Sequence, residues 1–252
     1  MAGARRPGLD LVRGVSHVTT GVVAGLATAP LVTSGPYETA LWCAAVGGAA
    51  MWPDIDHPSA TIARTFGPVT TLLSRLAFRL SGGHRKGTHS LAFAAASGVV
   101  AHLAAWASPV AGGVLLVLFI GLGLRGANAA VPRHQRINVA VHFAVATGAV
   151  LLAYQQGLTL GWLGAAVALG SVTHLAGDCL TEAGCPLFRP WSRRSYGIPL
   201  TEDRPTAEPA IIAAVNLAGV AMVIDRAGWW PVVVQLDVWA TRLDDRMLQL
   251  LT

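Results

Sequence analysis

Histidine and aspartate side chains form short clusters in an otherwise apolar sequence. Imidazole and carboxylate groups together are the ligands expected for Zn²⁺, with Mn²⁺ and Fe²⁺ as alternatives. One zinc ion uses three or four protein ligands, and the clusters contain more, so we expect one or two divalent ions. The clusters supply the following candidate metal ligands: His17, Asp54, Asp56, His57, His84, His89, His174 and Asp178.

The spacing of two pairs favours metal binding. His174 and Asp178 are four residues apart, so on a helix they share one face about one turn apart. Asp54 and Asp56 are two residues apart after a proline, where an extended backbone would direct both carboxylates to one side. Each pair alone is weak, since the two aspartates also fit a turn cap. Their combination with the other clusters predicts a metal site.

The candidate ligands form four clusters along the chain: His17, the segment 53–57, the segment 84–90, and the pair His174 and Asp178. The third cluster, 84–90, has the sequence HRKGTHS. His84 and His89 are five residues apart among glycines, which favours a loop over a helix. Arg85 and Lys86 lie inside this segment and are candidates for holding a phosphate group. The alternative interpretation is that both are basic residues that set membrane topology.

The remaining histidines have simpler interpretations. His102 and His142 lie in apolar stretches away from the clusters, and we expect them to form hydrogen bonds between packed helices. His134 lies in a basic loop and is expected to be solvated. The three cysteines, Cys43, Cys179 and Cys185, have no spacing typical of a zinc knuckle or a disulfide framework.

Composition indicates a membrane protein. Of 252 residues, 53% are hydrophobic and 12% are charged, whereas soluble domains have about 25% charged residues. The segments Gly14–Tyr37, Ser90–Leu124 and Ile137–Gly177 contain no Asp, Glu, Lys or Arg. A membrane-spanning helix needs about 20 apolar residues, so the two longer segments each accommodate a pair of spans. We therefore predict an all-α polytopic membrane helix bundle with six to eight spans, and exclude a disordered chain.

Six spans can be placed from the sequence. The first three are Val18–Thr33, Thr39–Trp52 and Leu91–Trp106, and the next three are Val110–Leu124, Asn138–Tyr154 and Leu160–Leu175. All four His/Asp clusters then lie at the same face of the membrane. That face also carries 15 of the 18 Lys and Arg residues, which predicts that it is cytoplasmic. The net charge of +5 is accordingly attributed to topology and to contact with anionic lipids, and not to nucleic-acid binding.

Both ends of the chain allow alternatives. Arg5, Arg6 and the following apolar run resemble a signal peptide, but its removal would also remove His17, so we expect the first span to be retained. The segments 69–80 and 236–247 have helical apolar spacing with charges between, which is typical of helices that lie on a membrane surface. Packing on the protein's own bundle is the alternative for both. The whole chain, 1–252, is expected to form one integral-membrane domain.

The clusters resemble one known family. Ser16-His17, the PDIDHP segment 53–58, the HRKGTHS segment 84–90 and the pair His174 and Asp178 are similar to motifs of the YdjM-like inner-membrane proteins. The resemblance extends from about His17 to Trp191, and residues 207–252 are interpreted as extra C-terminal helices. It implies a multi-pass protein of the bacterial inner membrane whose His and Asp residues hold a metal ion and whose activity is metal-dependent hydrolysis.

The leading functional hypothesis is hydrolysis of a lipid-linked ester at the cytoplasmic leaflet, with a phosphoester favoured. Asp56 is the candidate general base, and Asp54 is able to exchange roles with it. The expected partners are membrane lipids and not nucleic acid. Two alternatives remain open: a metal-ion transporter, and a non-catalytic protein in which a metal joins helix ends while the protein binds lipid or a partner.

Overall fold

The computed structural model describes residues 7–129, 135–181, 183–198 and 207–226. The fold is all-helical, with 73% helix, and the described residues contain no β-strand beyond one isolated bridge between Cys185 and Tyr196. The first four helices are α1 (Pro7–Thr28), α2 (Pro36–Ala49), α3 (Pro68–Ser81) and α4 (Leu91–Ala107). The other four are α5 (Pro109–Gly126), α6 (Gln135–Gln155), α7 (Leu163–Asp178) and α8 (Ala207–Arg226).

Local signals in the sequence account for the helix boundaries. Pro68 and Pro109 occupy the first turn of α3 and α5, where the missing N–H of proline costs nothing. The hydroxyls of Ser90 and Ser108 cap α4 and α5 by accepting hydrogen bonds from backbone N–H groups. Gly82 ends α3 in the left-handed conformation, with φ of 80°. The end of α3 at Gly82 and the cap of α4 at Ser90 therefore set the limits of the loop that carries His84 and His89.

Each of the six predicted spans coincides with a helix, α1, α2 and α4 to α7. The first predicted boundary is wrong, because α1 begins at Pro7 and ends at Thr28, before Val32 and Thr33. The predicted span began after the charged residues, but the helix itself includes Asp10 and Arg13. By length and composition, the segments Pro109–Gly126 and Ile137–Gln155 are able to cross a membrane, and Leu91–Ala107 is apolar but shorter.

Helix α2 lies at the centre of the bundle and packs against α1, α5 and α7. Eight of its residues are buried, and it is apolar around its whole circumference, as expected for a central helix. Its glycines permit close contacts, since a Cβ atom at Gly48 would lie 1.8 Å from the carbonyl oxygen of Phe119. Helix α4 packs against α7 on the other side. The C-terminal ends of α2 and α7 thereby meet near the N-terminal end of α4.

Helix α3 confirms the predicted amphipathic helix. Its apolar residues Val69, Leu72 and Leu80 are 71%, 61% and 86% exposed, while Thr70 and Ser74 face the protein and are fully buried. The apolar face therefore points away from the bundle, which favours contact with lipid over packing on the protein itself. The second predicted surface helix, 236–247, and His134 lie outside the described residues.

Candidate metal centre

The predicted ligands come from four parts of the fold that meet at one end of the bundle. His17 is in α1, and His174 and Asp178 are in the last turns of α7. Asp54 lies in a short helical turn after α2, and His89 lies at the end of the loop between α3 and α4. The convergence of distant segments, on which the sequence-based hypothesis depends, is present in the structure.

The predicted extended backbone at Asp54 and Asp56 is wrong. Residues Pro53–Asp56 form a 3₁₀ turn, in which Ile55 N–H donates to the Trp52 carbonyl oxygen at 3.0 Å. Trp52 keeps right-handed helical dihedral angles, φ −66° and ψ −40°, so the chain continues to turn after α2. Proline fits the first position of such a turn because its N–H is not needed there. The turn still brings both carboxylates to the site.

Four ligand atoms from these segments face one another: His89 Nε2, His174 Nε2, Asp54 Oδ1 and Asp178 Oδ2. The two Nε2 atoms are 3.3 Å apart. His89 Nε2 is 3.4 Å from each of the two carboxylate oxygens, and His174 Nε2 is 3.8 Å from Asp54 and 3.5 Å from Asp178. A tetrahedron of ligands about 2.0–2.1 Å from a zinc ion has edges of about 3.3–3.4 Å. The His–His and His–carboxylate separations are therefore compatible with one divalent ion, while Asp54 and Asp178 do not occur together in the groups of ligand atoms that lie within 4.8 Å of one another.

The hydrogen bond of His174 prepares its Nε2 atom for metal binding. His174 Nδ1 lies 2.7 Å from the carbonyl oxygen of Ala50, at the end of α2. A carbonyl oxygen only accepts hydrogen bonds, so Nδ1 carries the proton and neutral His174 has its lone pair on Nε2. Such a bond to the outer nitrogen is the usual way in which proteins orient a metal-binding histidine. The side chain is fully buried and cannot turn away.

A chain of hydrogen bonds also fixes which ring nitrogen of His89 carries the proton. Thr88 Oγ1 donates a short hydrogen bond to Asp56 Oδ2, since a carboxylate only accepts. Its proton is thus used, and the contact of 3.1 Å with His89 Nδ1 must be one in which His89 donates to Thr88. The lone pair of neutral His89 is then on Nε2, facing the other ligand atoms. All three side chains are at most 3% exposed.

Asp56 also accepts a hydrogen bond from His84, whose Nδ1 atom is 2.8 Å from Oδ1. Both oxygens of this fully buried carboxylate are therefore engaged, one by His84 and one by Thr88. His84 is 28% exposed at its side chain, and its Nδ1 bond leaves the Nε2 atom with the lone pair. Asp54, Asp56 and His84 also offer three ligand atoms within 4.8 Å of one another.

Asp54 lies on the accessible side of the site. Its side chain is 27% exposed, whereas those of His89, His174 and Asp178 are at most 3% exposed. Burial by itself would raise the pKa of the Asp54 carboxyl, but the positive charges of His174 and His89 in their protonated forms, together with the hydrogen bond from His89, outweigh burial and hold this pKa well below its usual range. Asp54 is therefore a carboxylate at neutral pH, as metal binding requires.

The second oxygen of Asp178 faces two further predicted residues. Arg85 Nη2 is 3.0 Å from Oδ1, and His17 Nε2 is 3.6 Å from the same oxygen. His17 also stacks on His174, with ring centroids 4.0 Å apart. Arg85 has a positive φ of 55°, which is uncommon outside glycine. Arg85 is thus occupied by Asp178.

Two predicted residues lie at the margin of the site. His57 packs edge-on against His84 with ring centroids 4.5 Å apart, and its Nδ1 atom is 3.2 Å from Ser59 Oγ. Among the described residues, none of the groups of three ligand atoms includes His57. Lys86 is exposed and its side chain extends over Gly83.

The two histidines assigned to helix packing each bond to a backbone carbonyl group. His102 Nδ1 lies 3.3 Å from the carbonyl oxygen of Gly161, and His142 Nε2 lies 2.5 Å from that of Ala129. Each bond runs from a helix to a turn residue distant from the metal site, since Gly161 precedes α7 and Ala129 follows α5. Sequence reasoning missed the position of Thr88 between two ligand segments; the signal for it was its place beside His89 in the third cluster.

Comparison with known proteins identifies the family. The family model described as YdjM inner membrane protein matches residues 12–128 and 137–241. No curated protein and no solved structure matches the chain. The family match spans all of the clusters that form the site, as well as helix α8. Buried His/Asp groups of this chain could hold a metal ion. By the family match, the chain belongs to the YdjM inner membrane protein family.

Proposed function

We propose that this protein is a metal-dependent hydrolase that cleaves a lipid-linked ester, with a phosphoester as the favoured substrate. The observation that carries the proposal is the group of four facing ligand atoms on Asp54, His89, His174 and Asp178. Three of these residues are buried and one is partly open to solvent. A catalytic zinc ion is held by three protein ligands and keeps its fourth position for water, and Asp54, His89 and His174 form such a group of three, with Asp54 on the accessible side.

These residues would hold one divalent ion, with Zn²⁺ favoured by the imidazole and carboxylate ligand types and Mn²⁺ or Fe²⁺ as alternatives. A bound ion of this kind polarises an ester oxygen and lowers the pKa of a water molecule to about 7. A second ion at Asp54, Asp56 and His84 would require Asp56 to lose its hydrogen bonds to His84 and Thr88. We therefore expect one ion per chain.

His84 is the residue best placed to take up a proton. Asp56 holds its Nδ1–H at 2.8 Å, which orients the ring and leaves Nε2 as the accepting atom on a partly exposed side chain. The same arrangement of carboxylate, imidazole and reacting group is used in other hydrolases. In this proposal Asp56 acts as a positioning residue and His84 replaces it as the general base.

Arg85 and Lys86 have different roles in this proposal. Arg85 donates to Asp178 and fixes the orientation of that carboxylate, so it positions a ligand and does not bind phosphate. Lys86 is exposed beside the loop, and its ammonium group is free to approach a phosphate at the entrance. His17 stacks on His174 and restricts movement of its ring.

The membrane location of the family suggests the substrate class. Inner-membrane proteins meet lipids more often than soluble esters, and the exposed apolar face of α3 adjoins the loop that carries His84 and His89. We propose that helices α1, α2, α4 to α7 and α8 span the membrane as one domain. The excess of Lys and Arg in the segments around the site supports a position at the cytoplasmic leaflet.

The test compares two histidine variants of purified protein reconstituted with metal. We expect His174→Gln to lose bound metal and to reduce phosphatase or phosphodiesterase turnover on lipid substrates at least 100-fold. His102→Gln, which removes a packing histidine of the same type, should retain both. Elemental analysis should give one ion per chain in the wild type.

Equal turnover in the His174→Gln variant and the wild type would contradict hydrolysis at this site. Metal uptake by wild-type proteoliposomes without any hydrolysis would favour the transporter alternative. Bound metal with neither hydrolysis nor uptake would favour the structural alternative, in which the ion only joins the ends of α2, α4 and α7.

A further inference from the structure

The loop that carries His89 also borders a cavity outside the metal site. The cavity has a volume of about 480 Å³. Its wall includes Gly87 and Ser90 on either side of His89, Leu80 at the end of α3, and Phe93 in the first turn of α4. None of the sequence clusters pointed to it, because its other wall comes from the segment after α7.

Two arginines, Arg189 and Arg193, are the charged residues in the lining of this cavity. Among the residues that the structure describes, neither forms an ion pair with a carboxylate, and Arg189 Nε is buried without a hydrogen-bond partner. The adjacent Arg194 differs, because its guanidinium lies 5.6 Å from the ring centroid of Tyr196. Two guanidinium groups without acidic partners in a concave site are suited to a phosphate group.

The surroundings of the cavity are apolar. Leu80 is 86% exposed, and Trp191, next to the wall residue Pro190, is 82% exposed. Leu91 and Phe188 add further exposed apolar surface beside it. Tryptophan is enriched where a membrane meets water, and the exposed face of α3 leads to Leu80. A ligand held here would have a charged end at the arginines and an apolar body along this surface.

We infer that this cavity binds the head group of an anionic phospholipid, with Arg189 and Arg193 on the phosphate and the acyl chains along Leu80 and Trp191. Gly87 and Ser90 line the cavity, and the metal ligand His89 lies between them in the sequence, so the bound lipid would adjoin the metal site. A role of the cavity in recognising the substrate rests on the proposed function. Binding itself requires neither metal nor catalysis.

The test uses native mass spectrometry of the full chain in detergent with added phosphatidylglycerol, and phosphatidylcholine as the lipid without net charge. We expect Arg189→Gln/Arg193→Gln to weaken phosphatidylglycerol binding at least tenfold, since charge-assisted hydrogen bonds are lost. Arg194→Gln, which removes one positive charge at the position next to Arg193, should bind as the wild type does. Arg193→Gln alone should also weaken binding, and because Arg193 is exposed this variant is expected to fold normally.

Equal binding by the Arg193→Gln and Arg194→Gln variants would overturn the inference. Equal binding of the two lipids by the wild type would also overturn it. Inorganic phosphate provides a further arm: if it bound through the same arginines as tightly as phosphatidylglycerol does, the cavity would be a site for free anions and not for lipid. Arginine-dependent lipid binding without any hydrolysis would preserve this inference while the proposed function failed, and hydrolysis without arginine-dependent binding would do the reverse.

Discussion

At the scale of single residues, Thr88 connects two parts of the site. It accepts a hydrogen bond from His89 Nδ1 and donates one to Asp56, and it is 3% exposed. The arrangement fixes which nitrogen of His89 is available to a metal ion. Partners of this kind affect metal affinity almost as much as the ligands do, because a misoriented imidazole presents its lone pair elsewhere.

Replacing Thr88 by valine should therefore weaken metal binding about 10- to 100-fold while leaving every ligand in place. Valine has nearly the same shape as threonine but neither accepts from His89 nor donates to Asp56. The measurement is a competition titration of the purified protein with a chelator. Thr173→Val is the matched control, because Thr173 Oγ1 bonds only to the Leu169 carbonyl oxygen of its own helix. An unchanged affinity in Thr88→Val would mean that the relay does not orient His89.

The sequence predicted the candidate ligands but not how each one is used. Residue type and clustering are sufficient to select His89, His174, Asp54 and Asp178. The roles of Asp56 and Arg85 depend on which neighbour each one meets, and those neighbours are distant in sequence. Arg85, for example, pairs with Asp178 across 93 positions of the chain. Spacing within a motif carries no information about such a contact.

At the scale of helices, glycines determine how closely α7 approaches α2. A Cβ atom at Gly170 would lie 2.4 Å from the Val46 carbonyl oxygen and 2.7 Å from the Ala49 side chain. Gly170 is four residues before His174, so both lie on the face of α7 that contacts α2. The close approach allows His174 Nδ1 to reach the carbonyl oxygen of Ala50.

Gly170→Ala should separate the two helices and lower stability by about 1–3 kcal/mol, as overpacked core positions do. The thermal unfolding midpoint in detergent should fall by about 2–4 °C per kcal/mol for a chain of this size. Metal affinity should fall as well, because His174 moves away from Ala50. Gly148→Ala is the control: its Cβ would meet nothing within 4 Å, so we expect no loss of stability. Identical melting of both variants would show that the α2–α7 contact tolerates expansion.

The sequence predicted which segments are helical more accurately than where they begin and end. Apolar runs located the bodies of α2 and α4 to α7 because a helix satisfies its backbone hydrogen bonds internally and can therefore be apolar over its whole length. The start of α1 was missed because charged residues were taken as a boundary, although Asp10 and Arg13 continue the helix. The 3₁₀ turn at Pro53 was missed because it continues from α2, whereas the residue before a proline usually favours an extended conformation.

At the scale of the whole molecule, the distribution of charge predicts the orientation in the membrane. The distribution of Lys and Arg predicts that the turn at Gln156 and the segment around Ser195 lie on opposite sides of the membrane. Gln156 and Ser195 are both exposed in the structure, so each is a suitable position for a single cysteine.

In a chain whose native cysteines are replaced by alanine, a membrane-impermeant thiol reagent applied to spheroplasts should label Gln156→Cys. It should not label Ser195→Cys until the membrane is permeabilised. The readout is a mass shift of the protein on a gel. Labelling of both positions in intact spheroplasts would contradict the proposed multi-pass arrangement, and the reversed pattern would place the metal site on the outer face.

The loop between α3 and α4 has a consequence for the whole protein. Gly87 and Ser90 line the arginine cavity, and His89 between them contacts the ligands of the metal site. A movement of this short segment at the cavity would therefore also move His89 at the metal site. If a ligand in the cavity raises the affinity of the protein for the metal ion by some factor, thermodynamic reciprocity requires the ion to raise the affinity for that ligand by the same factor. Loading with metal would then report on the composition of the surrounding bilayer.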